Sequence, residues 1–299
     1  MNEITWGIPV AVYLFFAGLG AGSFCLGTIA SKRTGQGWEA CSQMAFLLTP
    51  FAIGIGLLIL IFDLGYKSRF WMTLTVLNIT SPMSMGVWLL SAFFLVSVFS
   101  ALFWLPSATR QRIPWIGSSV VWNRPGWRNA LSAIGIPLAL GVSVYTGVLL
   151  SSTVIPLWRS LSLPLLFFLS ALSLGIEGGA ILGIMSLRKS NPGAMKEPLR
   201  FLKRSYRVIL PLYLLIAVIF IFSLSISSAS RTEAVHLMTG WSGLIWWVGV
   251  VCVGILVPLI FVMKKSREHM RHAWVFSGCL LIGDFLLRLV LILAGQGGM

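Results

Sequence analysis

The sequence predicts an all-α polytopic membrane protein of eight transmembrane helices, arranged as two four-helix bundles with both termini outside. Three observations carry this. Of 299 residues, 57% are hydrophobic and only 10% charged, and the mean hydropathy is +0.92. Eight separate apolar runs are each about 20 residues or longer, enough to cross the hydrocarbon core of a bilayer. These runs do not alternate apolar with polar residues, which excludes a closed β-barrel.

The spans read roughly as Ile8–Ala30, Gln43–Leu64, Pro82–Leu105, Ala130–Ile155, Leu163–Leu187, Leu210–Ser228, Trp241–Met263 and Trp274–Ala294. The first has no basic segment ahead of it and continues for a full crossing, so it reads as a span and not as a cleaved leader. The loops after spans 1, 3, 5 and 7 fall on one side and collect most of the 22 Lys and Arg residues. They hold Lys32 and Arg33, then Arg110, Arg112, Arg124 and Arg128. Next come Arg188, Lys189, Lys196, Arg200, Lys203, Arg204 and Arg207, and finally Lys264, Lys265, Arg267 and Arg271. The other side has Lys67, Arg69, Arg159 and Arg231, while Arg288 lies within span 8. Cytoplasmic loops attract Lys and Arg, so the basic side is cytoplasmic and both termini face a periplasm or its equivalent. The net charge of +14 therefore reports membrane orientation and does not point to nucleic acid.

The loops are short, and no segment outside the spans is large enough for a soluble catalytic domain. Chemistry on a water-soluble substrate needs another subunit. Trp6, Trp71, Trp158 and Trp241 near outer boundaries, and Trp104, Trp115, Trp122, Trp127 and Trp274 near inner ones, read as aromatic-belt anchors. Cys25, Cys41, Cys252 and Cys279 are scattered without a C-x-x-C pair. Metal or iron–sulfur ligation by this chain alone is not expected, and each reads as a small packing residue.

The sequence is organised around Ile61 to Trp88. Asp63 lies inside span 2, with Lys67 and Arg69 where that span meets water and Ser81-Pro82-Met83-Ser84-Met85-Gly86 opening span 3. A carboxylate at hydrocarbon depth is costly and marks either a pairing need or a functional group. Asp63 snorkelling to Arg69 is one reading, and a proton-handling group in a polar pocket between helices is the other.

Span 1 carries Ala17-Gly18-Leu19-Gly20-Ala21-Gly22-Ser23, and span 5 carries Gly175-Ile176-Glu177-Gly178-Gly179-Ala180. An offset of 156 aligns Gly22 with Gly178 and Gly27 with Gly183, a weak hint of a parallel repeat. Close helix packing explains the glycines but leaves Glu177 unexplained. Tyr145 ends span 4 beside Thr146 and Gly147, where it reads as a hydrogen-bonding group or an interface anchor. Asp284 and Arg288, spaced i, i+4, share one face of span 8 as a packing ion pair or, with Glu177, a proton relay.

Haem is not expected. Two b-type haems need four histidines within spans, and His236, His269 and His272 all lie in loops. Nor is there a Gly-rich phosphate loop or a nucleophile–base pair. What remains is a carboxylate (Asp63), hydroxyls (Tyr13, Tyr145, Ser81, Ser84) and a cationic rim (Lys67, Arg69), mostly near the outer face. That inventory suits a quinone, an amphipathic ring with two carbonyl oxygens and a long apolar tail, or a charged solute moving through a transporter.

Three stretches decide for the first. Asp63-Leu64-Gly65 with Arg69-Phe70-Trp71, then Ser81-Pro82-Met83-Ser84-Met85-Gly86-Val87-Trp88, and Leu287 to Gln296 resemble the polysulfide-reductase membrane subunits of the NrfD/PsrC type. Ala17 to Gly22 is similar as well, so the resemblance spans the whole sequence. It implies a haem-free, metal-free, eight-helix subunit of a bacterial or archaeal cytoplasmic membrane that binds menaquinone or ubiquinone. The implied partners are a ferredoxin-like subunit bearing 4Fe–4S clusters and a molybdopterin catalytic subunit. The implied quinone ligands are Tyr145 and Tyr13, with Ser81, Ser84 and Trp88 around them. Some members have histidine at the Tyr13 position, a departure in this sequence. Asp63 aided by Arg69 is then the proton-exchanging group. On this reading residues 1–160 form the bundle holding the quinone site and residues 161–299 the second bundle. The partner is expected on the outer face, over the Tyr66–Thr80 loop, covering Trp71 and Asn78 and leaving Arg200 and Lys203 free. The alternatives are a secondary transporter with a midplane site between the halves, or a purely structural tether.

Overall fold

The computed structural model describes residues 7–63, 81–105, 125–187, 191–226, 230–264 and 270–296. Among the described residues the protein is helical, without strands. In order the helices are α1 (Ile8–Ser31), α2 (Gln36–Asp63), α3 (Pro82–Phe103), α4 (Pro125–Ser151), α5 (Ser162–Leu187) and α6 (Lys196–Ile226). A short α7 (Arg231–Met238) follows, then α8 (Gly240–Met263) and α9 (Met270–Gly295). All but α7 are long and apolar enough to cross a membrane.

α1 and α5 lie innermost. Residues from Ala17 to Thr28 are buried without a break on α1, and Ser173 to Ala180 on α5. No hydrophobic force drives two helices together inside lipid, so their contact rests on close packing and on hydrogen bonds across the seam. Gly22 lies against the Ala171 carbonyl and the Gly175 Cα, where a Cβ would come within 2.2 Å and 2.9 Å. At this approach the Ser23 hydroxyl donates to the Gly175 carbonyl at 3.0 Å. The packing explanation of the glycines thus holds here. α2 and α4 also pack against α1, and Phe24 meets Phe46 of α2 and Phe93 of α3 edge-on at 5.2 and 5.5 Å. The lipid-facing surfaces are apolar, as Phe51, Phe62 and Phe222 show by their exposure.

Several expectations need correction. α2 begins at Gln36 and α6 at Lys196, both well before the expected starts at Gln43 and Leu210. Lys196, Arg200, Lys203, Arg204 and Arg207 therefore lie on a helix and not in a loop. Hydropathy marks the membrane edge, but backbone hydrogen bonding extends an amphipathic helix past it while its cations reach for water. Trp158 is not a belt anchor. It is fully buried, and its indole N–H donates to the Leu291 carbonyl at 2.7 Å. Trp127, Trp241 and Trp274 are exposed, as anchors should be. Trp104 instead stacks on Phe46 at 5.5 Å with the Arg128 guanidinium 4.4 Å from its ring. Trp6, Trp71, Trp115 and Trp122 lie outside the described residues.

α8 holds a feature the periodicity does not show. Ile245–Leu256 is wound as a π-helix, and there Gly254 meets Gly283 of α9 backbone to backbone. Such widened turns are rare and recur at functional positions.

The α1–α5 seam predicts that Gly22→Ala lowers unfolding stability of the detergent-solubilised protein by about 2 kcal/mol, because the added methyl meets backbone. Gly126, with nothing within 4 Å of an added Cβ, should accept Ala within about 0.5 kcal/mol. Thermal unfolding of the two variants side by side checks this.

Candidate functional site

Two polar groups of side chains lie inside the bundle. The first is near the end where α1 begins. Tyr13 is buried on α1, its ring beside Gly56 of α2, where a Cβ would stand 3.5 Å from Cδ2. Tyr145 comes from α4 and is close enough to interact electrostatically with Tyr13. Its hydroxyl rests on Gly86 of α3, and a Cβ at that position would overlap it at 1.7 Å. Only glycine leaves room for the phenol there. Among the described residues neither tyrosine hydroxyl makes a hydrogen bond. Tyr13 is buried and Tyr145 half-buried, and each phenol O–H can donate to a further acceptor.

Asp63 is the last described residue of α2, seven positions beyond Gly56 and so two turns further along the same stripe. Its side chain, and all of Lys67 and Arg69, lie outside the described residues, as do Trp71 and Asn78. Ser81 precedes α3 in extended backbone and gives its side chain to no helix cap, while its carbonyl accepts from the Met85 N–H at 3.1 Å. Ser84 is half-buried on the first turn of α3. Trp88 is 41% exposed, so it is Gly86, not Trp88, that α3 turns to Tyr145.

The second group runs through the middle of α5, α6 and α9. Glu177, Asp284 and Arg288 are all buried, and the structure joins them through residues that composition does not single out. Glu177 accepts hydrogen bonds from the Tyr206 hydroxyl at 2.8 Å and from Ser277. The Tyr206 hydroxyl is also 3.1 Å from the Ser173 carbonyl. The Ser173 hydroxyl donates to the Asp284 carboxylate at 3.3 Å, Ser170 at 2.7 Å and Tyr213 at 2.9 Å. Arg288 Nη1 donates to the Ser170 hydroxyl at 2.8 Å and to the Asp284 carbonyl at 2.7 Å. The predicted ion pair is therefore bridged by a serine, which accepts from the guanidinium and donates to the carboxylate. Nε and Nη2 of Arg288 have no partner among the described residues. Nη2 points at Gly18 of α1, where a Cβ would stand 2.6 Å away, and the guanidinium carbon is 5.4 Å from the Phe167 ring centre.

The signal for this group was present as spacing. Ser170, Ser173 and Glu177 fall at i, i+3, i+7 on α5, Tyr206 and Tyr213 at i, i+7 on α6, and Ser277, Asp284 and Arg288 at i, i+7, i+11 on α9. Each set makes one stripe along its helix.

Removing one member of a buried charged group strands the other. Asp284→Leu is expected to cost about 3–5 kcal/mol, and the double replacement Asp284→Leu with Arg288→Leu to recover most of it. Equal losses in the single and double variants, read by thermal unfolding in detergent, would contradict a charge pairing.

The protein also matches known proteins over nearly its whole length. Residues 1–297 match the family described as Polysulphide reductase, NrfD. A polysulfide reductase chain of Wolinella succinogenes is 32% identical, across 99% of this sequence and 95% of the relative. Protein NrfD of Escherichia coli is 28% identical across 99% and 96%. A selenate reductase subunit of Mesobacillus selenatarsenatis is 26% identical across 89% of this sequence and 68% of that protein. Eight apolar membrane-length helices and a family match from end to end make this a multi-pass membrane protein of the NrfD polysulphide-reductase family.

Proposed function

We propose that this protein is the quinone-reactive membrane subunit of an oxidoreductase complex, exchanging electrons between a menaquinone or ubiquinone pool and an iron–sulfur partner. The observation that carries the reading is the Tyr13–Tyr145 pair, a buried and a half-buried phenol with no hydrogen-bond partner among the described residues. They are donors matched to the two carbonyl oxygens of a quinone headgroup, with Gly86 keeping the Tyr145 hydroxyl in place. Bound there, the quinone supplies two-electron, two-proton chemistry. The protein supplies the rest. Tyr13 and Tyr145 orient the ring, Ser81 and Ser84 add polar neighbours at the mouth of α3, and Trp88 with Met83 and Met85 leads outward to lipid, the route for an apolar tail. Asp63, aided by Arg69, exchanges protons with water at the nearby rim.

In the same reading Glu177, Asp284 and Arg288 hold protons along the second polar group. Arg288 faces Gly18, five residues and so about 7.5 Å along α1 from Tyr13. Residues 1–160 then bear the quinone site and residues 161–299 most of the relay, with both termini outside. Relatives named as parts of polysulfide and selenate reductases support a catalytic partner that holds the terminal substrate. A molybdopterin subunit reached through 4Fe–4S clusters fits that role, in a bacterial or archaeal cytoplasmic membrane. Tunnelling needs proximity, so the iron–sulfur subunit docks on the outer face, over residues 66–80.

Asp63→Asn should slow quinol oxidation by about 100-fold or more while the complex still assembles, the scale of a lost proton-transfer group. Tyr145→Phe should abolish it. Gly86→Ala should slow turnover about 100-fold by displacing the Tyr145 hydroxyl, a misplacement of ångström size. Quinol oxidation by the assembled complex measures all three, with dye-linked activity as the control, and wild-type rates in Tyr145→Phe and Asp63→Asn would refute the proposal. For the docking face, cysteines placed at Asn78 and Lys203 are labelled with and without the partner. Protection at position 78 with position 203 open is expected, and the reverse would overturn the orientation and the site together.

A further inference from the structure

The opposite end of the bundle, where α1 finishes, holds a cavity of about 550 Å³ between the α1–α2 turn and the first turns of α6. Lys32, Arg33, Arg200 and Arg204 line it, with Trp38 and Phe201 as its apolar wall. A single carboxylate is present, Glu197, and it accepts the Trp38 indole N–H at 3.4 Å. Membrane orientation explains why cations occupy this face. It does not explain why four of them converge on one cavity, nor why one of them lies against two aromatic rings.

Arg33 is that one. Its guanidinium carbon stands 4.5 Å from the Trp38 ring centre and 4.2 Å from that of Phe201, and the two rings meet edge-on at 5.4 Å. A cation–π contact draws on the guanidinium's charge without consuming an N–H donor, so its N–H groups can form a forked hydrogen bond to a phosphate. Trp38 is only 4% exposed, so this wall is fixed before any ligand arrives. Arg200 and Arg204 stand at i, i+4 on α6, a like-charge spacing that disfavours the helix unless a counter-charge comes between them.

The surroundings indicate what that counter-charge is attached to. Along α6 from the cavity, Val208, Leu212 and Leu215 are exposed apolar residues facing outward, and Ile29 on α1 is exposed one turn before Lys32. A ligand seated here places an anionic head among cations and apolar tails along helix surfaces already in lipid. From these observations we infer that the cavity binds the headgroup of an anionic phospholipid, and that a lipid with two phosphodiesters, diphosphatidylglycerol, binds more tightly than one with a single phosphate. Four cations answer two phosphates, and the volume falls within the range of ligand sites. Basic pockets between membrane helices bind such headgroups by the same forces. The inference does not depend on the quinone reading.

The test uses the full-length protein in mild detergent and native mass spectrometry, titrating diphosphatidylglycerol against phosphatidylcholine of the same acyl composition. The wild type is expected to retain the two-phosphate lipid preferentially. Arg33→Gln and Arg204→Gln should each weaken that retention by about five- to tenfold. Arg207→Gln, an exposed cation on α6 outside the cavity, should change it by less than about twofold. Circular dichroism of each variant confirms that the helices are intact before lipid is added. Unchanged retention in both cavity variants, or an equal loss in Arg207→Gln, overturns the site. Displacement of the lipid by millimolar inorganic phosphate overturns the lipid as its ligand, leaving a soluble phosphate compound in its place.

Discussion

A guanidinium fully enclosed by helices has no water to answer its charge, and Arg288 imposes that requirement on the centre of this protein. Its partners come from its own helix, through the Asp284 carbonyl, and from α5, through Ser170. Asp284 in turn draws in Ser173 and, from α6, Tyr213. One buried cation thus holds α5, α6 and α9 in a particular rotation about their axes. The network continues to Tyr206, Glu177 and Ser277 without leaving the core, so the middle of the bundle is lined by groups that donate and accept. Breaking such a network by halves is more damaging than omitting it, because each remaining group is left without a partner.

That arrangement depends on helices coming closer than ordinary side chains permit. At the α1–α5 seam Gly22 and Gly175 bring backbones into contact, and the Ser23 hydroxyl bonds directly to a carbonyl of the neighbouring helix. α1 is thereby held between the two polar groups, with Tyr13 toward one and Gly18 against the other. The same device operates at Gly86, where the missing side chain makes room for a tyrosine hydroxyl. Small residues here make room for polar side chains as well as pack helices.

The two ends of the bundle differ in chemistry. Where α1 begins, the phenols of Tyr13 and Tyr145 sit in the hydrophobic core beside Gly56 and Gly86, where the proposed quinone would bind. Where α1 ends, four cations gather beside a rigid aromatic wall, suited to a permanent anion. A protein that works on a lipid-soluble carrier at one end and holds a charged lipid at the other would be fastened in the membrane without obstruction of its reactive face.

Much of this was legible before the structure. Eight spans follow from hydropathy, the pairing need of Asp284 and Arg288 from the cost of charge in lipid, and the choice of Tyr13 and Tyr145 as candidate ligands from the family pattern. Helix ends were less legible: α6 starts fourteen residues before the apolar run because charged residues can continue a helix beyond the hydrocarbon edge. That displacement hid Tyr206, which hydropathy places in a loop and the fold places against Glu177. Trp158 misled for a related reason, since nearness to a boundary says nothing about which way an indole turns. The sequence by itself determined which segments enter the bilayer, because transfer free energy sums residue by residue along the polypeptide. Only the tertiary structure decided which polar side chains meet, because that depends on the rotation and sliding of whole helices against one another, set by contacts between residues more than a hundred positions apart.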